Sequence, residues 1–103
     1  MKLIEIHTLK ELNNIISKKS NVIVYYYSNK FDNITKKLNK LLENIYDLNV
    51  LYYSVNVENC DSIIKTQDIT TYPVFHIFKK SEFIKEIFCN YYDMEEIVKL
   101  FYN

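Results

Sequence analysis

The run Val22-Ile-Val-Tyr-Tyr-Tyr27 constrains this chain more than any other stretch. Consecutive β-branched and aromatic residues without polar alternation describe a strand covered on both faces, as in a sheet layered between helices. A sheet with one wet face would alternate. The flanking segments supply the layers. Thr8-Leu-Lys-Glu11 has the spacing of a capping box, and Leu9, Leu12, Ile15 and Ile16 recur at helical intervals, which predicts a helix over residues 8–17. Downstream, Phe31, Ile34, Leu38, Leu41, Leu42 and Ile45 form a second apolar stripe. Lys36, Lys37 and Lys40 fall on the opposite side, as a solvated helix face would.

The remaining segments complete the order. Residues 2–6 alternate and read as a short first strand, and residues 50–55 read as a strand parallel to the central one, since a helix separates the two. Asn59 is the candidate cap of a short third helix. The only proline, Pro73, opens an apolar strand over 73–79, the sheet position where a missing N–H does little harm. Lys80-Ser81-Glu82 then leaves room only for a hairpin into a strand over 83–89. Asp93-Met-Glu-Glu96 starts a last helix with Met94, Ile97, Val98 and Phe101 as its stripe. The order is β-α-β-α-β-α-β-β-α: an α/β chain with a mixed five-stranded sheet and about four helices, forming a single domain over residues 1–103.

Composition bounds the function. There is no Gly, Ala, Arg or Trp, while Lys, Asn, Ile and Tyr are heavily used, the usage of an AT-rich genome. The Tyr and Lys excess is therefore discounted as a binding signal. Without glycine, left-handed turns fall to Asn, Asp or other residues, and Asn49, Asn59 and Asn90 lie where such turns are expected. Thirteen basic and thirteen acidic residues cancel, which speaks against a sequence-independent nucleic-acid binder. No apolar run reaches the length of a membrane span and the first residues do not form a signal peptide, so a cytoplasmic protein is expected. Gly-rich nucleotide loops are excluded outright. His7 and His76 make no metal spacing with the cysteines, so neither metal nor cofactor is expected. His7 falls in a strand-to-helix turn, and His76 alternates with Phe75 and Ile77 as a half-buried strand residue.

Tyr72-Pro-Val-Phe75, the hairpin beginning at Phe75, and Val55-Asn-Val-Glu-Asn59 at the end of the third strand, taken with the element order, resemble the thioredoxin family. The resemblance covers essentially the whole chain. It implies a thioredoxin-like fold in which Pro73 is the cis-proline and Tyr72 offers its backbone to an extended peptide. Where the family carries Cys-x-x-Cys, this chain reads Ser28-Asn29-Lys30-Phe31-Asp32-Asn33, and its only cysteines are Cys60 and Cys89. The family's buried Asp falls at Tyr25-Tyr26 and its Lys partner near Tyr52-Tyr53. Dithiol exchange, and with it a catalytic residue of the family kind, is not expected. Ser28 is the candidate for the nucleophile's place, but a serine without a base is not a nucleophile, and capping by Ser28 or Asn29 is the simpler role.

The functional expectation is a redox-inactive binding or scaffold module for a protein or peptide, with neither nucleic acid nor membrane as partner. Its site would comprise Ser28, Asn29, Lys30 and Phe31, Thr71, Tyr72 and Pro73, and Cys89 and Asn90. Pro73 acting only on loop geometry is the plainer alternative. A second reading gives Cys60, at the start of the third helix, a single-thiol redox role, against its being an inert buried thiol. A third makes the chain a structural subunit. Cys60 and Cys89 follow strands about three positions apart, roughly 14 Å at about 4.8 Å per strand, so they are not expected to bond to each other.

Overall fold

A computed structural model describes residues 4–18, 21–42 and 50–88. Their order is β1 (Ile4–Glu5), α1 (Leu9–Ser17), β2 (Asn21–Tyr27), a 3₁₀ turn (Asn29–Phe31), α2 (Asp32–Leu42), β3 (Val50–Asn56), α3 (Asp61–Thr66), β4 (Val74–Lys79) and β5 (Glu82–Phe88). The strands form one mixed sheet in the order β1-β3-β2-β4-β5. β1, β3 and β2 run parallel, while β4 lies antiparallel to β2 and β5 antiparallel to β4. The helix expected over 93–101, Ile45, Asn49, Cys89 and Asn90 lie outside the described residues.

The unbroken apolar run becomes the centre of the sheet. From Val22 to Tyr26 every residue of β2 is buried. Val22, Val24 and Tyr26 join Tyr53, Val55, Val74 and Phe78 on one face, where Leu12 and Ile15 of α1 and Ile63 of α3 pack. Ile23 and Tyr25 alternate to the other face with Phe75 and Ile77, register partners across β2 and β4. There Thr35 of α2 donates its hydroxyl to the Tyr25 hydroxyl at 3.3 Å. Two covered faces are what the missing alternation required. At the start of α1 the capping box forms: the Thr8 hydroxyl accepts the Glu11 N–H at 3.1 Å, and the Glu11 carboxylate accepts from the His7 N–H at 3.3 Å.

Several local expectations need correction. The N-cap of α3 is Cys60, not Asn59, with no side-chain cap; the Cys60 carbonyl accepts from Ile63 and Ile64 N–H. Left-handed backbone falls on Asp68, Lys80 and Ser81 (φ 54°, 52° and 69°), and not on Asn59. The hairpin is one residue tighter than its sequence suggests, because Glu82 pairs with Lys79 and leaves Lys80 and Ser81 alone in the turn. Successive positive φ angles are the demand of a two-residue hairpin turn, met here without Asn or Gly. Beyond it Phe83 faces Phe78 and Lys85 faces Ile77, so Ile84 bulges out of the ladder. β5 is the outer strand of the sheet, with Phe83, Ile84 and Phe88 exposed.

His76 also differs from expectation. It is buried, 3% exposed, not half-buried. Tyr26 of β2 and Phe83 of β5 set ring edges against its imidazole, with centroids 4.9 and 5.1 Å away. Nε2 lies 2.6 Å from the Glu86 carboxylate across the β4–β5 ladder, while Nδ1 is buried without a partner.

Candidate functional site

Sheet register brings the candidate residues together. Tyr26 pairs with Val74, so the chain leaving β2 at Tyr27 and Ser28 runs beside the chain entering β4 at Tyr72 and Pro73. The Tyr72–Pro73 peptide bond is cis. Thr71 and Tyr72 are exposed, Tyr72 at 42%, and Pro73 is half-buried. Across from them Asn29 and Lys30 are exposed in the 3₁₀ turn that leads through Phe31 into α2. Seven of the nine candidate docking residues therefore lie in two neighbouring segments at one end of the sheet. Cys89 and Asn90 are outside the described residues.

Ser28 does not cap α2. Its hydroxyl is buried, the residue being 2% exposed, and finds no hydrogen-bond partner among the described residues. Asn29 instead joins a contact that the sequence did not reveal. The Asn56 side chain, at the end of β3, donates its amide to the Asn29 side-chain oxygen at 2.8 Å, and its own oxygen accepts the Glu58 N–H at 3.0 Å. The Glu58 carboxylate accepts the Asn29 N–H at 3.4 Å. Next to them the Val57 N–H reaches the Tyr27 carbonyl at 2.8 Å, extending the parallel pairing past the strand ends. The signal available in sequence was a polar Asn inside the otherwise apolar end of a strand, where a buried amide needs partners.

The Cys60 thiol faces inward. Its Sγ lies 3.7 Å from the Ile6 carbonyl and 3.6 Å from that of His7, and donates toward both. Burial pushes the thiol above its ordinary range, and the carboxylates of Glu5, Asp61 and Glu11 push the same way. It borders a shallow cleft of about 380 Å³ that His7, Thr8, Asp61 and Ser62 also line. Among the described residues no three His, Cys, Asp or Glu side chains gather as a metal site, and no helix is long and apolar enough to cross a membrane.

The thioredoxin family's sequence model matches residues 3–101. The chain belongs to the thioredoxin family. Solved thioredoxins share its fold at low identity. The Plasmodium falciparum thioredoxin superposes with a TM-score of 0.85 at 16% identity, over 96% of this chain and 99% of that one. A Schistosoma mansoni thioredoxin gives 0.81 at 20%, over 97% and 95%. Mitochondrial thioredoxin 3 of Saccharomyces cerevisiae gives 0.79 at 21%, over 94% and 93%. No curated protein sequence matches the chain.

Against that family background the chemistry of the site is altered. A thioredoxin thiolate is formed by a cysteine at the N-terminus of the second helix, and this sequence carries none between residues 1 and 59. In the central strand, Tyr25 and Tyr26 occupy the core with no carboxylate. The Tyr25 ring stacks on Tyr27 at 5.3 Å and leans on Phe75 at 5.0 Å. Tyr26 buries a hydroxyl that finds no partner among the described residues. Its burial, and after that the Glu86 carboxylate, holds the phenol well above the usual tyrosine range, so it stays neutral and offers no base. In β3 Tyr53 is likewise held up by burial. Cys60 and Cys89 follow β3 and β5, strands that β2 and β4 separate.

Proposed function

We propose that this thioredoxin-family domain is a redox-inactive binding module. It takes an extended segment of a protein or peptide along the Tyr72–Pro73 edge, between Thr71 on one side and Ser28, Asn29, Lys30 and Phe31 on the other; Cys89 and Asn90 are the remaining candidate residues of the site. One observation carries the reading. The exposed Tyr72 edge at the start of β4 lies beside a loop that carries no thiol. Backbone pairing with an extended segment needs main-chain groups and side-chain pockets, and no cysteine. The inward-facing Cys60 with its raised thiol runs against the single-thiol alternative. On the same reading the domain works in the cytoplasm, where a free thiol is the ordinary state.

The experiment is a selection of extended peptides from a phage-displayed random library on the immobilised chain, followed by titration of a selected peptide against Tyr72→Ala. Loss of the Tyr72 ring at the edge is expected to weaken binding about tenfold or more, the range of an anchor residue. Undiminished binding to Tyr72→Ala overturns the reading. So does turnover of insulin disulfides above the uncatalysed rate, which is expected to be absent.

A further inference from the structure

The docking edge is only as well defined as the loop opposite it, and the residues that fix this loop lie outside the docking set. Asn56 is 7% exposed, at the last position of β3, with both ends of its carboxamide engaged. The Glu58 N–H can only donate, so it commits the Asn56 side-chain oxygen, and the amide nitrogen must then point at Asn29. Asn29 in turn must present its oxygen. The same residue's backbone N–H is held by the Glu58 carboxylate. Asn29 is thus gripped by side chain and main chain from two residues of one turn, at the first position of the 3₁₀ segment that also carries Lys30 and Phe31. An exposed loop residue held at two points loses conformational freedom that it would otherwise give up on binding.

From this geometry we infer that Asn56 and Glu58 are positioning residues of the docking end: together they clasp Asn29 and hold residues 28–31 preformed opposite Tyr72 and Pro73. The inference rests on the docking reading for its functional meaning. The clasp itself is a contact that is tested without any ligand. It acts by alignment and touches no partner. The β2–β4 ladder fixes Tyr72 and Pro73 on one side. Since β3 pairs with β2 along its whole length up to Tyr27 and Asn56, the clasp fixes the other side from the neighbouring strand. Both sides of the docking end are then referred to the same sheet.

Donor and acceptor logic gives a test that plain destabilisation would not mimic. Asn29→Asp keeps an acceptor facing the Asn56 amide. Asn56→Asp keeps an acceptor for the Glu58 N–H, and the Asn29 amide turns over to donate to it. Each single variant keeps the donor–acceptor match of the clasp and adds one carboxylate near that of Glu58, a repulsion that the singles measure on their own. The double variant N29D/N56D sets two carboxylates against each other with no proton between them. Amide hydrogen exchange of residues 28–31 is the readout. Exchange in either single variant is expected within about threefold of the original chain, and in the double variant at least about tenfold faster at neutral pH. Below about pH 4 a shared proton returns to the pair and the excess shrinks, each variant being compared with the original chain at the same pH. Exchange in the β2 and β4 core should stay unchanged throughout. If the double variant exchanges no faster than the product of the two singles, or if the excess does not shrink in acid, the clasp does not exist. The peptide selected on the original chain supplies the functional arm, with about tenfold weaker binding expected for the double variant only. If the original chain selects no peptide, the docking reading falls and the exchange arm still decides the clasp. If peptide binds the double variant as well as the original chain while the loop exchanges faster, the clasp stands but Asn56 does not position the site.

Discussion

Tyr26 makes an unusual prediction: removing an atom from the core should stabilise the protein. The Tyr26 hydroxyl is buried and unpartnered among the described residues, in a side chain with no exposed surface. In the unfolded chain that hydroxyl is hydrogen-bonded to water, so folding strips it of partners for no return. A stranded buried polar group costs about 1–3 kcal/mol, and Tyr26→Phe removes it while leaving the ring to pack on His76 and Val74. Against this stands the small void left by the oxygen, worth less than about 1 kcal/mol. The net expectation is a gain of roughly 1 kcal/mol at pH 7, or a rise of about 4 °C in Tm for a domain of this size. A second signature follows from the ionisation. The folded phenol is held far above the ordinary tyrosine value by burial and then by Glu86. Its cost is therefore constant below the unfolded pKa of about 10 and grows as the pH rises from there toward the folded value, because in that window only the unfolded state releases the proton. Above about pH 10 the original chain loses about 1.4 kcal/mol per pH unit through this group, and Tyr26→Phe does not. Urea denaturation of both chains at pH 7, 9 and 10.5 measures both signatures. A Tyr26→Phe variant less stable than the original by about 1 kcal/mol, with no widening at high pH, would show that the hydroxyl has a partner and refute the reasoning.

Two further outcomes are expected. Lys80→Asn with Ser81→Gly supplies the turn chemistry that successive positive φ angles favour, and should raise stability by about 1–2 kcal/mol in the same urea assay; an unchanged midpoint would mean that Lys80 and Ser81 do not hold these angles. Alkylation of Cys60 by iodoacetamide, mapped by peptide mass, should be slow in the folded chain at pH 7.5 and rise with pH along a titration above that of a free thiol, since burial and the three nearby carboxylates disfavour the thiolate; alkylation at the free-thiol rate would restore a reactive role for Cys60.

Periodicity made the architecture legible where one physical signal dominated. β2 runs from Asn21 to Tyr27 as the apolar run predicts, because a central strand buries five consecutive apolar residues on two faces. The Thr8–Glu11 box was legible because its partners are local. What failed was whatever depends on pairing register. Asn59 looked like a cap, yet the third helix starts one residue later, where Cys60 tucks its thiol under the Ile6 and His7 carbonyls. His76 looked half-buried because alternation alone cannot say that Phe83, from the next strand, closes over its ring. Of the site, the segments around Ser28 and Tyr72 could be read from the sequence. The grip of Asn56 and Glu58 on Asn29 could not, since it arises only when the ends of β2 and β3 lie level.

The outer strand has a consequence for how this protein behaves at high concentration. The outer strand among the described residues carries Phe83, Ile84 and Phe88 exposed, an edge that would ordinarily invite a second copy to add itself to the sheet. In a two-fold antiparallel pairing, an axis through Lys85 would set that ammonium against its own copy, and an axis through Glu86 would do the same with carboxylates. An axis through Ile84 would bring Glu82 onto Glu86. Like charges facing across strands repel, and the bulge at Ile84 interrupts the ladder on the inner side as well. In these three registers the order of charges along β5 opposes the edge-to-edge pairing of two copies, with no proline in that strand.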